Sequence, residues 1–328
     1  MKQADTPSKM VLLLPIYNDW ECAVRLLEQI DALLAQEPGQ FQVLLLDDCS
    51  IHPMPPALLQ ARFQHLRRVE TLRLRRNLGN QRAIAIGLSY IHAQRPCDAV
   101  LIMDGDGEDK PEDAIRLARR FRETGGQRVI FAERVRRSEN RTFRVCYQAF
   151  RFMHRVLTGI EVKFGNFSIV PYQHLASLVV VSETWNHYAA SILKARLPFE
   201  SIPTERGKRF AGESTQNFIA LIVHGLAAIS VFSETVGVRL ILAIVATAGL
   251  AGALLFVVVG IKLFSTLAIP GWATNAAGFL LVILLQILTV AVGLTLTVLF
   301  SRNSLSFLPV RDYPHFVGLI QTIYDAGN

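Results

Sequence analysis

The chain has 328 residues, of which 51% are hydrophobic and only 19% charged, with a net charge of +7 and a mean hydropathy of +0.31. This excludes a disordered chain, which cannot bury enough apolar surface to offset its ordering entropy, and argues against an ordinary soluble globule. The positive charge leaves nucleic acid, anionic lipid and phosphorylated substrates as candidate partners.

The first two thirds alternate strand and helix. Met10–Leu14 is a short apolar run ending at Pro15 and reads as a buried strand, after which Trp20, Ala23, Leu26, Leu27, Ile30, Leu33 and Leu34 recur at helical spacing. Phe41–Leu46 is a second strand ending in Asp47-Asp48, Thr71–Leu74 a weaker third, and Gln81–Ile91 a helix. Ala99–Met103 is a fourth strand running into Asp104, and Arg128–Ala132 a fifth. Pro111 sits where a first helical turn begins, with Asp109 before it as N-cap. The alternation predicts an α/β fold: a mostly parallel sheet with helices on both faces and ligands beyond the carboxyl ends of the strands. No G-x-G-x-x-G follows the first strand and no GxxxxGK[ST] occurs, which disfavours a dinucleotide fold or a P-loop. Cysteines 22, 49, 97 and 146 form no CxxC pair and read as free thiols, with neither disulfides nor a zinc site.

Just past the fourth strand lies Asp104-Gly105-Asp106-Gly107-Glu108-Asp109-Lys110-Pro111-Glu112-Asp113. Carboxylates at alternating positions can converge on one hard cation, with glycines allowing the tight turn. Asp104 and Asp106 are therefore metal candidates with Glu108 as a third ligand, whereas Glu112 and Asp113 suit the first turn of a helix. EF-hand spacing is absent. Arg134, Arg136, Arg137, Arg141, Arg144, Arg151 and Arg155 carry most of the positive excess, part of it as a solvated helix face. Arg134 and Arg137 are candidates for a lipid phosphate or a diphosphate, because guanidinium pairs bidentately with phosphate oxygens.

Leu240–Ile261 carries no charge between Arg239 and Lys262, and a second apolar run extends from Ala276 to Phe300. A helix of that length spans ~33 Å, enough for the ~30 Å hydrocarbon layer, so both read as transmembrane helices. Two spans without interleaved exposed aromatics disfavour nucleic acid, and two are too few to enclose a wide channel. Lys208, Arg209 and Arg239 on one flank and Arg302 and Arg311 on the other put both termini in the cytoplasm. The N-terminal segment has no apolar h-region, so no cleavable signal peptide is expected. Phe218–Phe232 is apolar but too short to cross, and fits an interfacial helix or a buried one. The expected division is a cytoplasmic catalytic domain over 1–209, a juxtamembrane segment over 210–238, a hairpin over 239–302 (spans about 240–261 and 277–300) and a tail over 303–328. His187 and His224 fall in no metal motif, and Trp185 and Tyr188 are candidates for an acceptor entrance.

Pro15-x-Tyr17-Asn18, Leu46-Asp47-Asp48-x-Ser50, Asn77-x-Gly79 with Gly87, and Met103-Asp104-Gly105-Asp106 before Pro111-Glu112 resemble the family-2 inverting glycosyltransferases of GT-A fold. Arg134, Gly165-Asn166-Phe167-Ser168, Arg209-Phe210-Ala211-Gly212-Glu213-Ser214 and the terminal hairpin resemble their polyprenyl-phosphate branch. Three elements depart from that pattern: Cys49 stands where a glycine is common, Gly107-Glu108 where Leu-Gln is usual, and Asn166 where an aspartate is. The resemblance implies transfer of a sugar from a UDP- or GDP-sugar to a polyprenyl phosphate at the cytoplasmic face of the inner membrane. It implies a nucleotide site of Pro15, Tyr17, Asn18, Asp47, Asp48, Asn77, Gly79 and Asp104, with Mg2+ or Mn2+ on Asp104, Asp106 and Glu108. It further implies catalytic roles for Asp104, Asp106, Arg134 and Arg137 and an acceptor-phosphate site of Arg134, Arg137, Arg209 and Ser214. Another lipid or glycan acceptor, an inactive nucleotide-sugar scaffold and homo-oligomerisation stay open.

Overall fold

The structure is a computed structural model, and it describes residues 8–136, 141–160, 164–211, 218–264, 271–303 and 307–327. Eight strands form one sheet: β1 (Lys9–Ile16), β2 (Gln40–Asp47), β3 (Leu66–Leu74), β4 (Ala99–Ile102), β5 (Val129–Arg136), β6 (Ser168–Pro171), β7 (Phe199–Glu205) and β8 (Val317–Asp325). Between them run α1 (Trp20–Leu34), α2 (Pro56–Leu59), α3 (Asn80–Gln94), α4 (Pro111–Glu123), α5 (Arg141–Thr158), α6 (Tyr172–Leu178) and α7 (Tyr188–Lys194). After β7 come α8 (Phe218–Ser230), α9 (Ser233–Phe264), α10 (Trp272–Asn303) and α11 (Pro309–Asp312). The strand order is β7-β5-β6-β4-β1-β2-β3-β8, with β4, β1, β2 and β3 parallel and β6 and β8 antiparallel to their neighbours.

Strand alternation supplies both layers. Met10, Leu12, Leu14 and Ile16 join Ala23, Leu26, Leu27 and Ile30 of α1 and Leu117 and Phe121 of α4 on one face. Val11 and Leu13 point the other way, onto Ile84, Ile86 and Ile91 of α3. β1 has both faces covered, which is why it reads as an unbroken apolar run. Gly87 of α3 lets that helix approach β1, because a Cβ there would lie 2.6 Å from the Leu13 side chain.

Four strands or strand portions escape apolar patterning. The first half of β3 carries Glu70, buried yet paired with Arg95 (Nε 3.0 Å, Nη2 2.7 Å) and Arg68 (2.7 Å). A buried carboxylate persists only with such partners. β6 has four residues, and β7 is an edge strand whose charged, proline-containing pattern alternates out of the core. β8 corrects the expectation of a tail after residue 303: it pairs with β3 from Arg68↔Asp325 to Leu74↔Val317, closing that sheet edge.

The chain divides into two compact units, Met1–Gln148, Glu161–Val231 and Phe307–Asn328 in one, Ala149–Ile160 and Phe232–Ser306 in the other. The boundary near 231 places α8 with the sheet unit. In the second unit α9 and α10 pair with each other, and Ser233–Phe264 and Trp272–Thr297 are long and apolar enough to cross a membrane.

Asp31 on α1 holds the entry to β3, accepting the backbone N–H groups of Gln64 (2.9 Å), His65 (2.8 Å) and Leu66 (2.8 Å) while 8% exposed. Asp31→Ala leaves three amides without an acceptor and is expected to destabilise the protein by about 2–4 kcal/mol, read as a lower urea midpoint at unchanged slope.

Candidate active site

Strands β1 and β4 lie side by side, and the chain continues outward from them in opposite directions, so the crevice for a ligand opens beyond Ile16 and Ile102. Two loops build one wall. Pro15 is the penultimate residue of β1, opposite Leu46, and Tyr17, just past the strand, is 41% exposed. Asn18 has a left-handed backbone (φ 62°), and its Oδ1 accepts the N–H groups of Ile51 (2.8 Å) and His52 (3.1 Å). Asp47 accepts the Ser50 N–H at 2.7 Å and faces Arg73 Nε at 3.5 Å. Between them Cys49 adopts φ 60°, a conformation glycine enters without steric cost.

Asp48 is buried and spends one contact of each oxygen on the loop before α3, accepting Leu78 N–H and Gly79 N–H at 2.7 Å each. Burial pushes its carboxyl above the usual range and the two amides pull it back. Its first task is therefore to shape the 77–79 loop; each oxygen keeps a further lone pair for a ligand. Gly79 at φ +84° makes that loop accessible to little but glycine, and Asn77 stands exposed beside it.

The other wall is the acidic loop after β4. Asp104 Oδ1 accepts Asn80 Nδ2 at 3.0 Å, and the Asp104 N–H donates to Asp109 Oδ2 at 3.0 Å. Burial, and then the charges of Asp109 and Asp106, raise the Asp104 carboxyl to about 7. Asp106 Oδ1 accepts the Glu108 N–H (2.9 Å), while its Oδ2 faces Arg209 Nη1 (3.3 Å). Asp109 pairs with Arg134 (2.9 Å). Asp109 is thus no helix cap: α4 starts from Lys110, whose side chain makes no capping bond.

The segment after β7 lies over this loop. Gly207 N–H donates to the Glu108 carbonyl (2.8 Å) and Phe210 N–H to the Asp106 carbonyl (3.1 Å). Arg206 pairs with Glu108 through Nε at 2.9 Å and again through Nη2. Arg209 also pairs with Asp19 and donates from Nε to the Ala211 carbonyl at 2.9 Å. Gly107 (φ +88°) leaves room for the Phe210 ring, which a Cβ would strike.

Several expectations change here. Glu108 is paired with Arg206, and among the described residues no group of three or more His, Cys, Asp or Glu side chains is arranged to hold a metal ion. Arg134 is engaged by Asp109. Arg137 and Ser214 lie outside the described residues, as do Gly212 and Glu213. Tyr188 is fully buried and shares a 2.7 Å hydrogen bond with Ser168, so it lines no entrance. Trp185 packs on Phe307 (3.8 Å) and Phe316 (5.2 Å) with the Arg82 guanidinium over its ring (5.3 Å). His187 and His224 come together with ring centroids 4.5 Å apart. Asn166 accepts Gln81 Nε2 (3.0 Å), and Gln81 Oε1 accepts the Tyr188 N–H (2.8 Å). Asn80, Asp19 and Arg206 were missed; for Arg206 the spacing of three before Arg209 was the available signal.

Two carboxylates of a crowded acidic loop, one whose charged form is disfavoured by burial and by its neighbours' charge until a cation compensates it, form a donor set that suits a hard divalent cation. The ion would be ligated by Asp104 and Asp106 and would draw its remaining oxygens from ligand and water.

The chain belongs to glycosyl transferase family 2, whose profile it matches over residues 12–177, from within β1 to within α6. The undecaprenyl-phosphate 4-deoxy-4-formamido-L-arabinose transferase of Photorhabdus laumondii is 28% identical over 132 residues, 40% of this chain and 39% of the relative. That of Erwinia tasmaniensis is 26% identical over 151 residues, 46% of this chain and 45% of the relative. The match therefore spans less than half the length of these relatives. Among solved structures, glucosyl-3-phosphoglycerate synthase from Mycobacterium tuberculosis, with Mn2+, UDP-glucose and phosphoglyceric acid, has a TM-score of 0.51 at 14% identity. It covers 70% of this chain and 80% of its own and shows the GT-A fold.

Asp48→Ala frees the Leu78 and Gly79 amides and is expected to weaken nucleotide binding about tenfold or more while the sheet stays folded. Titration with UDP and GDP beside a circular-dichroism melt checks this; unchanged affinity for both would remove Asp48 from the site.

Proposed function

We propose that this protein is a membrane-bound glycosyltransferase that moves a sugar from a nucleoside-diphosphate sugar to a polyprenyl phosphate at the cytoplasmic face. The observation that carries this reading is the Asp104–Asp106 pair at the switch point of the sheet, with Arg206 and Arg209 beside it, in a chain with two membrane-length apolar helices. The relatives named above act on undecaprenyl phosphate by name, which supports the acceptor class.

In the proposed reaction a phosphate oxygen of the acceptor forms a bond to the anomeric carbon of the sugar. The bond from that carbon to the diphosphate breaks, and its electron pair leaves with the nucleoside diphosphate. A phosphate monoester has its second pKa near ~6 and arrives largely anionic, so no side chain has to take a proton from the nucleophile. What the reaction needs is charge compensation and alignment. Tyr17, Asn18 and the Asp48-shaped loop would position the nucleotide. A divalent cation on Asp104 and Asp106 would neutralise the diphosphate as charge develops on it. Arg209, with Arg137 and Ser214, would hold the acceptor phosphate. Arg134 would keep Asp109 paired at the base of the acidic loop.

β8 bears on the topology. It hydrogen-bonds to β3 of the domain that precedes the apolar helices, which supports a topology with the chain entering that pair and the chain leaving it on one side of the membrane. A two-span hairpin satisfies this, and the cationic flanks support the cytoplasm as that side. Reporter tags at Met1 and Asn328 are both expected to be cytoplasmic; a signal from the opposite side at either end overturns the hairpin.

The decisive experiment incubates the purified protein with a panel of UDP- and GDP-sugars and undecaprenyl phosphate and identifies the lipid product by mass spectrometry. Asp106→Asn is expected to lower turnover by roughly 10²–10⁴-fold with an unchanged melting profile, and chelation to do the same to the unaltered protein. Transfer to a neutral hydroxyl lipid but not to polyprenyl phosphate would favour the other-acceptor reading. No transfer with any donor would favour an inactive scaffold.

A further inference from the structure

In the unit that contains α9 and α10, the C-terminal half of α5 carries Phe152, Met153 and Val156 at positions i, i+1 and i+4. That spacing puts them on one stripe of the helix, and they are 72%, 42% and 53% exposed. The buried side of the same half is already occupied. His154 Nδ1 lies 3.0 Å from the Ile160 carbonyl oxygen, and Thr158 donates to the His154 carbonyl at 2.8 Å. Gln148, Arg151 and Arg155, at i, i+3 and i+7, are exposed along the border of the apolar stripe. An apolar stripe edged by arginines fits the boundary between acyl chains and anionic headgroups, which satisfies both parts at once.

A second observation ties this half-helix to the candidate spans. Arg239, near the start of α9, donates from Nη1 to the Val156 carbonyl (2.6 Å) and the Arg155 carbonyl (3.4 Å). These belong to the last turn of α5, where the Arg155 carbonyl also accepts the Gly159 N–H at 2.8 Å and a helix end has carbonyls left over for such a donor. Gly159 makes the approach feasible twice over: its backbone is left-handed (φ +78°), and a Cβ there would sit 2.5 Å from the Arg239 Nη2 atom. Nothing in the catalytic reading uses Arg239 or Gly159. Their effect is to fix an amphipathic half-helix at the end of an apolar helix whose own Leu242, Val245 and Phe256 side chains are exposed.

We propose that the C-terminal half of α5 is an in-plane membrane helix. It seats Phe152, Met153 and Val156 in an anionic lipid surface, and the Arg239–Gly159 clamp holds it to the base of α9. This rests on the reading of α9 and α10 as membrane spans and extends it by naming a third, interfacial contact with lipid. The same apolar stripe pressed against a second copy of the chain is the competing occupant; the continuity with α9 and the arginine border favour lipid.

The test uses the full chain reconstituted in vesicles of phosphatidylcholine with roughly one third phosphatidylglycerol. The photo-crosslinker p-benzoylphenylalanine is placed singly at Phe152, at Phe256 (82% exposed on α9) or at the exposed Glu28 of α1, and adducts are identified by mass spectrometry. Lipid adducts at 152 and 256 and none at 28 are expected. In Arg239→Ala, and separately in Gly159→Ala, which keeps the Arg239 charge, the lipid yield at 152 is expected to fall roughly fivefold while that at 256 holds. Lipid at 256 together with chain-to-chain or no adducts at 152 overturns the proposal and leaves the spans intact. Absence of lipid at 256 overturns the spanning reading itself, and the proposal with it. Undiminished lipid yield at 152 in both variants overturns the clamp.

Discussion

The acidic loop beyond β4 depends on keeping crowded carboxylates from repelling one another. The sheet delivers Asp104, Asp106, Glu108 and Asp109 within six residues, where two like charges ~4 Å apart cost on the order of 4 kcal/mol at the effective dielectric of a protein surface. Each is offset by a group brought from elsewhere in the chain: Asn80 for Asp104, Arg209 for Asp106, Arg206 for Glu108 and Arg134 for Asp109. The fold around the crevice is largely a way of bringing α3, β5 and the segment after β7 to those four positions. The same balance defines the chemistry. In the proposed reaction a cation and a diphosphate would bring both signs of charge to a site that already holds both.

Charge compensation also explains which parts of the fold were legible in sequence. Apolar runs marked β1, β2 and β4 because both of their faces are buried, and the period of α1 marked a helix with one face in the core. Glu70 hid the first half of β3, since a carboxylate in a strand reads as solvent-exposed unless its arginines are known, and Arg95 lies 25 residues away. β8 was invisible for a different reason. Its burial is modest, and its partner β3 lies some 250 residues earlier in the chain, beyond any local pattern.

The site was legible by type and less so by partner. Asp104, Asp106, Asp48 and Asn18 all stand at the strand ends where the motifs put them. What spacing could not show was how each side chain is occupied. Asp48 braces two backbone amides, Glu108 pairs with Arg206, and Asp109 answers Arg134 instead of starting a helix. Cys49 shows the limit of reading a substitution from a motif, since it takes the left-handed backbone that the usual glycine would supply. A non-glycine residue there stores roughly 1–2 kcal/mol, within reach of the surrounding Asp47–Ser50 and Asn18–Ile51 hydrogen bonds to hold.

The return of the chain to β3 also sets an order of events during synthesis. Residues 66–74 leave the ribosome long before 317–325, and domains fold as units while synthesis proceeds at about 5–20 residues per second. For that interval, on the order of ten to fifty seconds at such rates, β3 is an open sheet edge carrying unpaired backbone groups. The strand that covers it cannot be made until both long apolar helices have been. Completion of the sheet therefore follows synthesis of both apolar helices, so a chain stalled between the two helices carries an unsealed edge that chaperones and proteases can recognise.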